Sequence, residues 1–414
     1  MKSIATTALA LAALLCAACA GHPGPDKPSR LIIDELALDP TLIKATSSSG
    51  EAPRTEVIDS RETFEQAQEA FSKRQYEKAV ERYALIIEHF QDSDYFLASL
   101  YNSGLALDFT GRHAEAAALY RKVADTFPGR SEATDALFRL AGSLARLERH
   151  AEVVSVIDEI GARTSLTVGD RIEASVRLGD ARLALGELSA AEEAYREALT
   201  MNRRAPVEDA LPDDAYFIAG AQYGIGRVYH HLFVAIKFKL PIERMEGDLR
   251  DKIQLFEQSQ SLYIRTIRLA HPYWTTASRY QIAKMYEDFY ADLLTSEIPE
   301  LTDEEAELYF EELRKKLRPL MDRALQYYER TITLSERQGV DNQYTQMTQE
   351  ALDRLKSYLT DPRLQIQEAN KVRAGQKIEA LGLPPDEERV RPVEEAPQRQ
   401  PEAPTEDGGD SRAP

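Results

Sequence analysis

Residues 97–128, LASLYNSGLALDFTGRHAEAAALYRKVADTFP, decide how the rest of the chain reads. Leu100, Gly104 and Leu107 recur at three and four residues, and so do Ala116, Tyr120 and Val123, which is the period of a helix face. Gly111 divides the two runs at a point where a positive φ is easy only for glycine. Pro128 closes the unit. The tetrapeptide RHAE at 112–115 returns at 149–152, thirty-seven residues on. Leu100, Tyr101, Gly104, Leu107, Ala116, Tyr120 and Val123 then fall opposite Leu137, Phe138, Ala141, Leu144, Val153, Ile157 and Ile160. One period back stand Phe64, Ala67, Ala79, Tyr83 and Ile86, and one forward Gly179, Gly186, Ala191, Tyr195 and Ala198. Each copy predicts two helices joined by a tight turn, with a small residue in each helix allowing close approach and a large one filling the space beside it.

These positions and residue types resemble the tetratricopeptide repeat. The resemblance is strong over 60–203 and looser over 204–359. There Gly226 pairs with Ser259, Tyr263 and Thr266, and Ala283 with Ala324 and Tyr328, each across an insertion. The resemblance implies an all-α fold: an α-solenoid of about six helix pairs, closed by a capping helix near 342–359. No strand of useful length is expected.

The chain has 414 residues, 43% of them hydrophobic, and a formal charge of −18. An acidic balance argues against nucleic acid, whose phosphates need a basic surface. Its two cysteines, Cys16 and Cys19, lie near the start, so the body carries no thiol chemistry. No phosphate loop, zinc-protease motif or serine-nucleophile motif occurs. The seven histidines are scattered, and Gly220, Gly224 and Gly226 follow no strand, so helix packing explains them. No catalytic residue, cofactor, metal or small-molecule substrate is expected.

Residues 1–18 read as a signal peptide: Lys2, then an apolar run from Ile4 to Leu15, roughly 18 Å as a helix and too short to span a bilayer. Ala17-Ala18-Cys19 resembles a bacterial lipobox, which implies lipidation at Cys19. Ordinary cleavage after an Ala-x-Ala-like site is the alternative. In that resemblance Ala20 implies sorting to the outer membrane. Residues 19–59 read as a flexible tether. A helix is expected within 360–383. Residues 384–414, with seven prolines and nine acids against four basic residues, read as a disordered acidic tail.

A solenoid lines its concave face with first helices. The family's groove positions carry over to an aromatic row, Phe64, Tyr101, Phe138, Tyr223 and Tyr280, and to polar positions Asp108, Arg146, Asp180, Arg227, His230, Lys284 and Glu287. Aromatics beside varied polar groups suit recognition of a protein segment. The alternative is that the row only packs against neighbouring repeats. Twenty of the thirty-three aromatics fall between Tyr216 and Tyr358, as a thicker core or as a sugar platform. The style of the chain looks like bacterial envelope repeat lipoproteins, including outer-membrane assembly, Tol–Pal-associated and myxobacterial gliding-motility members. The resemblance implies a periplasm-facing scaffold that binds other envelope proteins and meets the membrane through its lipid alone; a cell-wall glycan-binding protein is the alternative.

Overall fold

A computed structural model describes residues 40–46, 54–297 and 302–360. The signal segment, Cys19, most of the tether, the helix expected beyond residue 360 and the acidic tail lie outside the described residues. Within them are thirteen helices: α1 Ser60–Ser72, α2 Tyr76–His89, α3 Phe96–Phe109, α4 His113–Thr126, α5 Ser131–Arg146, α6 His150–Gly161, α7 Val168–Ala184, α8 Leu188–Arg204, α9 Tyr216–Ala235, α10 Ile242–Arg268, α11 Pro272–Leu294, α12 Asp303–Gln338 and α13 Gln343–Thr360. They pack as consecutive antiparallel pairs, α1 with α2 through α11 with α12. The unpaired α13 lays Ala351, Leu352 and Leu355 on the last pair. Its other side presents Gln346, Gln349, Glu350, Asp353 and Lys356 to solvent, as a cap should.

The thirty-seven-residue period is visible in the backbone. Arg74, Gly111, Glu148 and Gly186 all hold left-handed φ, between 58° and 78°. Each sits at the same turn. The amide one residue further on donates to the carbonyl five residues back: Gln75 to Ala70, Arg112 to Leu107, Arg149 to Leu144 and Glu187 to Arg182, at 2.9–3.0 Å. This is the 6→1 bond of a Schellman stop. The RHAE repeat then starts the second helix, with the Arg112 and Arg149 guanidinium groups gripping Glu115 and Glu152 through both oxygens.

First helices lie on the inside of the curve. α5 touches α7, α7 touches α9, α9 touches α11 and α11 touches α13, whereas second helices of successive repeats approach one another less closely. Among the described residues no helix is long and apolar enough to cross a membrane.

The tether needs a correction. Strands β1, Thr41–Thr46, and β2, Arg54–Asp59, form an antiparallel ribbon with Leu42 opposite Ile58 and Ile43 opposite Val57. Ile58 is buried and Leu42 packs beside it on Phe64, Tyr83 and Ile86, so the ribbon covers the open end of the first repeat. Ile43 and Val57 face outward. Alternation over so few residues is too short to stand out in the sequence. Among the described residues no repeat precedes the first one, and the ribbon buries the apolar end that such a neighbour would cover.

Candidate functional site: the inner face of the first helices

The aromatic row does not stand free in a groove. Phe64, Phe138, Tyr223 and Tyr280 are buried and Tyr101 is half-buried. Each Tyr or Phe of the row that has an aromatic counterpart meets the second helix of its own repeat at nearly one spacing. Phe64 lies 5.9 Å from Tyr83, Tyr101 5.8 Å from Tyr120, Tyr223 5.5 Å from Tyr263 and Tyr280 5.9 Å from Tyr328, ring centre to ring centre. Such pairs add about 0.5–1.5 kcal/mol beyond burial. The second-helix rings reach this far inward because the first helix has no side chain in the way. A Cβ on Gly104 would stand 2.7 Å from the Tyr120 ring, one on Gly179 2.6 Å from Tyr195 and one on Gly226 2.8 Å from Tyr263. The expectation of an exposed row is therefore corrected: the small residues that let the helices approach also let the tyrosines through.

The hydroxyls of those tyrosines explain the polar positions. Tyr120 donates to Asp108 at 3.2 Å, Tyr195 to Asp180 at 2.8 Å and Tyr328 to Glu287 at 3.0 Å. Tyr263 meets His230 Nδ1 at 3.2 Å. Burial, and then the adjacent carboxylate, push the Tyr120, Tyr195 and Tyr328 phenols well above their usual range, so they remain donors. Each acid also accepts from the next repeat: Asp108 from Ser143 at 2.9 Å, Asp180 from Arg227 at 3.1 Å and Glu287 from Arg354 at 2.6 Å. His113 closes on Asp108 at 2.9 Å. Lys284 pairs with Asp288, which also lies 3.6 Å from His230. Of the polar residues singled out in the sequence, Arg146 alone has no hydrogen-bond or ion-pair partner among the described residues, and it is exposed.

Four polar residues not singled out above, Asn102, Arg139, Arg177 and Gln281, directly follow positions of the repeat register that the row occupies. Asn102 bonds Tyr83 of the preceding repeat, and Arg139 bonds Tyr101. Gln281 donates to the Tyr223 hydroxyl at 3.1 Å. Arg177, in the same register, pairs with Glu173 at 2.7 Å. A polar residue recurring one place after a repeated aromatic was the available signal.

In α9, α11 and α13 the inner face is filled. Trp274 packs 4.9 Å from Tyr223 and donates its indole N–H to the Tyr216 carbonyl at 2.7 Å. Tyr344 closes over both helices, 3.3 Å from the Tyr223 hydroxyl. A Cβ on Gly220 would stand 3.0 Å from the Trp274 ring and one on Gly224 would collide with the Tyr195 ring, which bears out the packing reading of those glycines. The insertion between α9 and α10 is tied down by Lys252. Its buried ammonium donates to the carbonyls of Phe233 and Ile236 at 2.7 and 2.8 Å and pairs with Asp292 at 2.7 Å. Among the described residues no cluster of three His, Cys, Asp or Glu side chains could hold a metal.

Comparison with known proteins agrees with this geometry. Residues 97–128 and 172–204 match the tetratricopeptide repeat family model. The chain thus carries tetratricopeptide repeats, in an α-solenoid. It is similar to a tetratricopeptide repeat protein from Parabacteroides merdae, with 14% identity over 72% of this chain and 98% of that one, at a TM-score of 0.36. It is also similar to MamA from Desulfovibrio magneticus, with 15% identity over 49% and 96%, at 0.33. A third similar structure is YrrB, described as a repeat protein with an unusual peptide-binding site, with 14% identity over 49% and 86%, at 0.32. No curated protein matches the chain in sequence.

Proposed function

We propose that this chain is a non-catalytic scaffold that holds an extended segment of a partner protein against the inner face of α3, α5 and α7. One observation carries the reading. Here the first helices keep exposed or half-exposed side chains of mixed character, Tyr101, Asn102, Leu105, Arg146 and Arg177, on a rigid stack, while from α9 onward aromatic rings occupy the same face. Tetratricopeptide repeat proteins in general mediate protein–protein interaction. Preformed helices lose little entropy when a partner docks, which favours recognition.

The scaffold works at a membrane. Cys19 carries the lipid, the body faces the periplasm from the outer membrane, and the partners are envelope proteins of an outer-membrane biogenesis, envelope-maintenance or gliding-motility machine. The lipobox-like Ala17-Ala18-Cys19 and the style of the repeats support this placing.

Two measurements test the reading. Cys19→Ala should move the protein from the membrane fraction to the soluble periplasmic fraction; unchanged partitioning would remove the anchor from the proposal. Arg146→Glu changes an exposed side chain, so stability should move by under about 0.5 kcal/mol. Cross-linking in intact envelopes should then capture fewer partners than wild type. An unaltered set of partners, captured as strongly, would place recognition elsewhere.

A further inference from the structure

The outer surface carries an unmatched group of cations. Tyr286 of α11 stands between Phe256 of α10, 4.8 Å away, and Tyr327 of α12, 5.8 Å away, and so marks the cleft between those two second helices. Arg279 lies seven residues earlier on α11, two helical turns along the same stripe. It is half-buried, with no hydrogen bond or ion pair to another described residue. On α12, Arg323 and Arg330 flank Tyr327 at four residues before and three after, on one stripe, and neither is ion-paired among the described residues. Burial, and then Arg330, pull the Arg279 guanidinium below its ordinary value; no carboxylate contributes. The buried hydroxyls of Thr275 and Ser278, on the turn before Arg279, also lack a hydrogen-bond partner. A helical side chain leans over the preceding turn, which brings Arg279 across Thr275.

An arginine stem lying on apolar surface with its head in water would account for one such residue. It does not account for two guanidinium groups, Arg279 and Arg330, set against each other with no ion-pair partner among the described residues, in a chain that has 69 Asp and Glu residues. A guanidinium offers a planar fork of donors matched to the two oxygens of a carboxylate.

We propose that the cleft between α10 and α12 is an anion-binding site, built on Arg279 and Arg330, whose occupant is the acidic segment 384–414 of this same chain. The charges are complementary, nine acids against four basic residues in that segment. The reach is sufficient. The twenty-three residues between Thr360 and Pro384 span up to about 80 Å when extended, against roughly 54 Å for the whole of α12. A tethered segment also competes at an effective concentration of about millimolar, ahead of a free peptide at lower concentration.

Trp274, the only tryptophan, lies five residues before Arg279 and serves as a built-in donor. The full chain with Cys16→Ser and Cys19→Ser would carry a dansyl acceptor on Gln398→Cys. At low salt, energy should pass from Trp274 to the dansyl group. It should be lost in Arg279→Gln/Arg330→Gln, and at about 1 M salt, where the screening length falls to roughly 3 Å. Arg130→Gln, an exposed change in the turn between α4 and α5, should leave it unchanged. Glu394→Gln/Glu395→Gln changes only the tail and should reduce it with the helical body untouched. Absent transfer at low salt, or transfer that survives the double arginine change, overturns the proposal. So does a cleft without transfer in which millimolar inorganic phosphate raises the melting temperature of wild type but not of the double arginine variant, since the site would then belong to a free anion.

Discussion

At the scale of single residues, the turns between paired helices hold an imbalance. Gly111 and Gly186 adopt left-handed φ freely, but Arg74 and Glu148 adopt it at φ 59° and 58° with a side chain attached. That conformation costs an L-residue roughly 1–2 kcal/mol, offset in part by the greater unfolded-state entropy of glycine. Glu148→Gly should therefore stabilise the protein by about 0.5–1 kcal/mol in urea melts; a loss of stability would show that the Glu148 side chain contributes something the contacts do not reveal. The reverse holds at Gly104. A methyl group 2.7 Å from Tyr120 must push a fully buried ring aside, and Gly104→Leu should cost about 1–3 kcal/mol.

At the scale of elements, the joint between α9 and α11 is electrostatic. Asp288 lies between Lys284 and His230. Burial opposes its charge, but those two partners outweigh burial and hold the carboxyl below its usual range. A carboxyl with a folded pKa below its unfolded value, near 3.9, stabilises the fold at neutral pH and ceases to do so as pH falls through that range. Asp288→Asn should lower the melting temperature at about pH 7, and the gap from wild type should close toward about pH 3. A gap that stayed constant would make the Asp288 contribution one of packing alone. Lys252 is the corresponding peg for the insertion. Lys252→Met strips the donor from two carbonyls and a partner from Asp292, and should cost about 3 kcal/mol or more, with the greatest loss of amide protection at the end of α9.

For the whole molecule, Asp180 is the test of continuity. It accepts from Tyr195 in its own repeat and from Arg227 in the next, where the regular repeats give way to those with insertions. Repeat arrays are stabilised by nearest-neighbour interfaces. Asp180→Ala leaves the Tyr195 hydroxyl without its acceptor, at about 1–3 kcal/mol, and weakens the one interface joining the halves. Its denaturation profile should divide into two steps, residues 60–204 separating from 216–360. A single sharp transition at lower stability would mean that the stack folds as one unit despite the change.

The helix pairs, their period and the closing helix follow from local chemistry: small residues where helices cross, large ones beside them, glycine at the turn. All of that is written within one repeat, so the sequence alone determined it. The direction of the aromatic row is not written there. Tyr101 and Tyr120 lie nineteen residues apart, and whether they meet depends on how closely two helices pack, which Gly104 sets only once both are in place. The same is true of Asp108, Asp180 and Glu287, which read as groove residues in sequence and become joints between repeats when a tyrosine hydroxyl and a donor from the next repeat reach them. The ribbon at the N-terminal end was hidden because two short alternating runs acquire a buried face only against Phe64 and Tyr83. Local patterns specify elements, whereas the facing of a side chain between elements is a property of the assembled stack, where burial decides which polar groups must be paired.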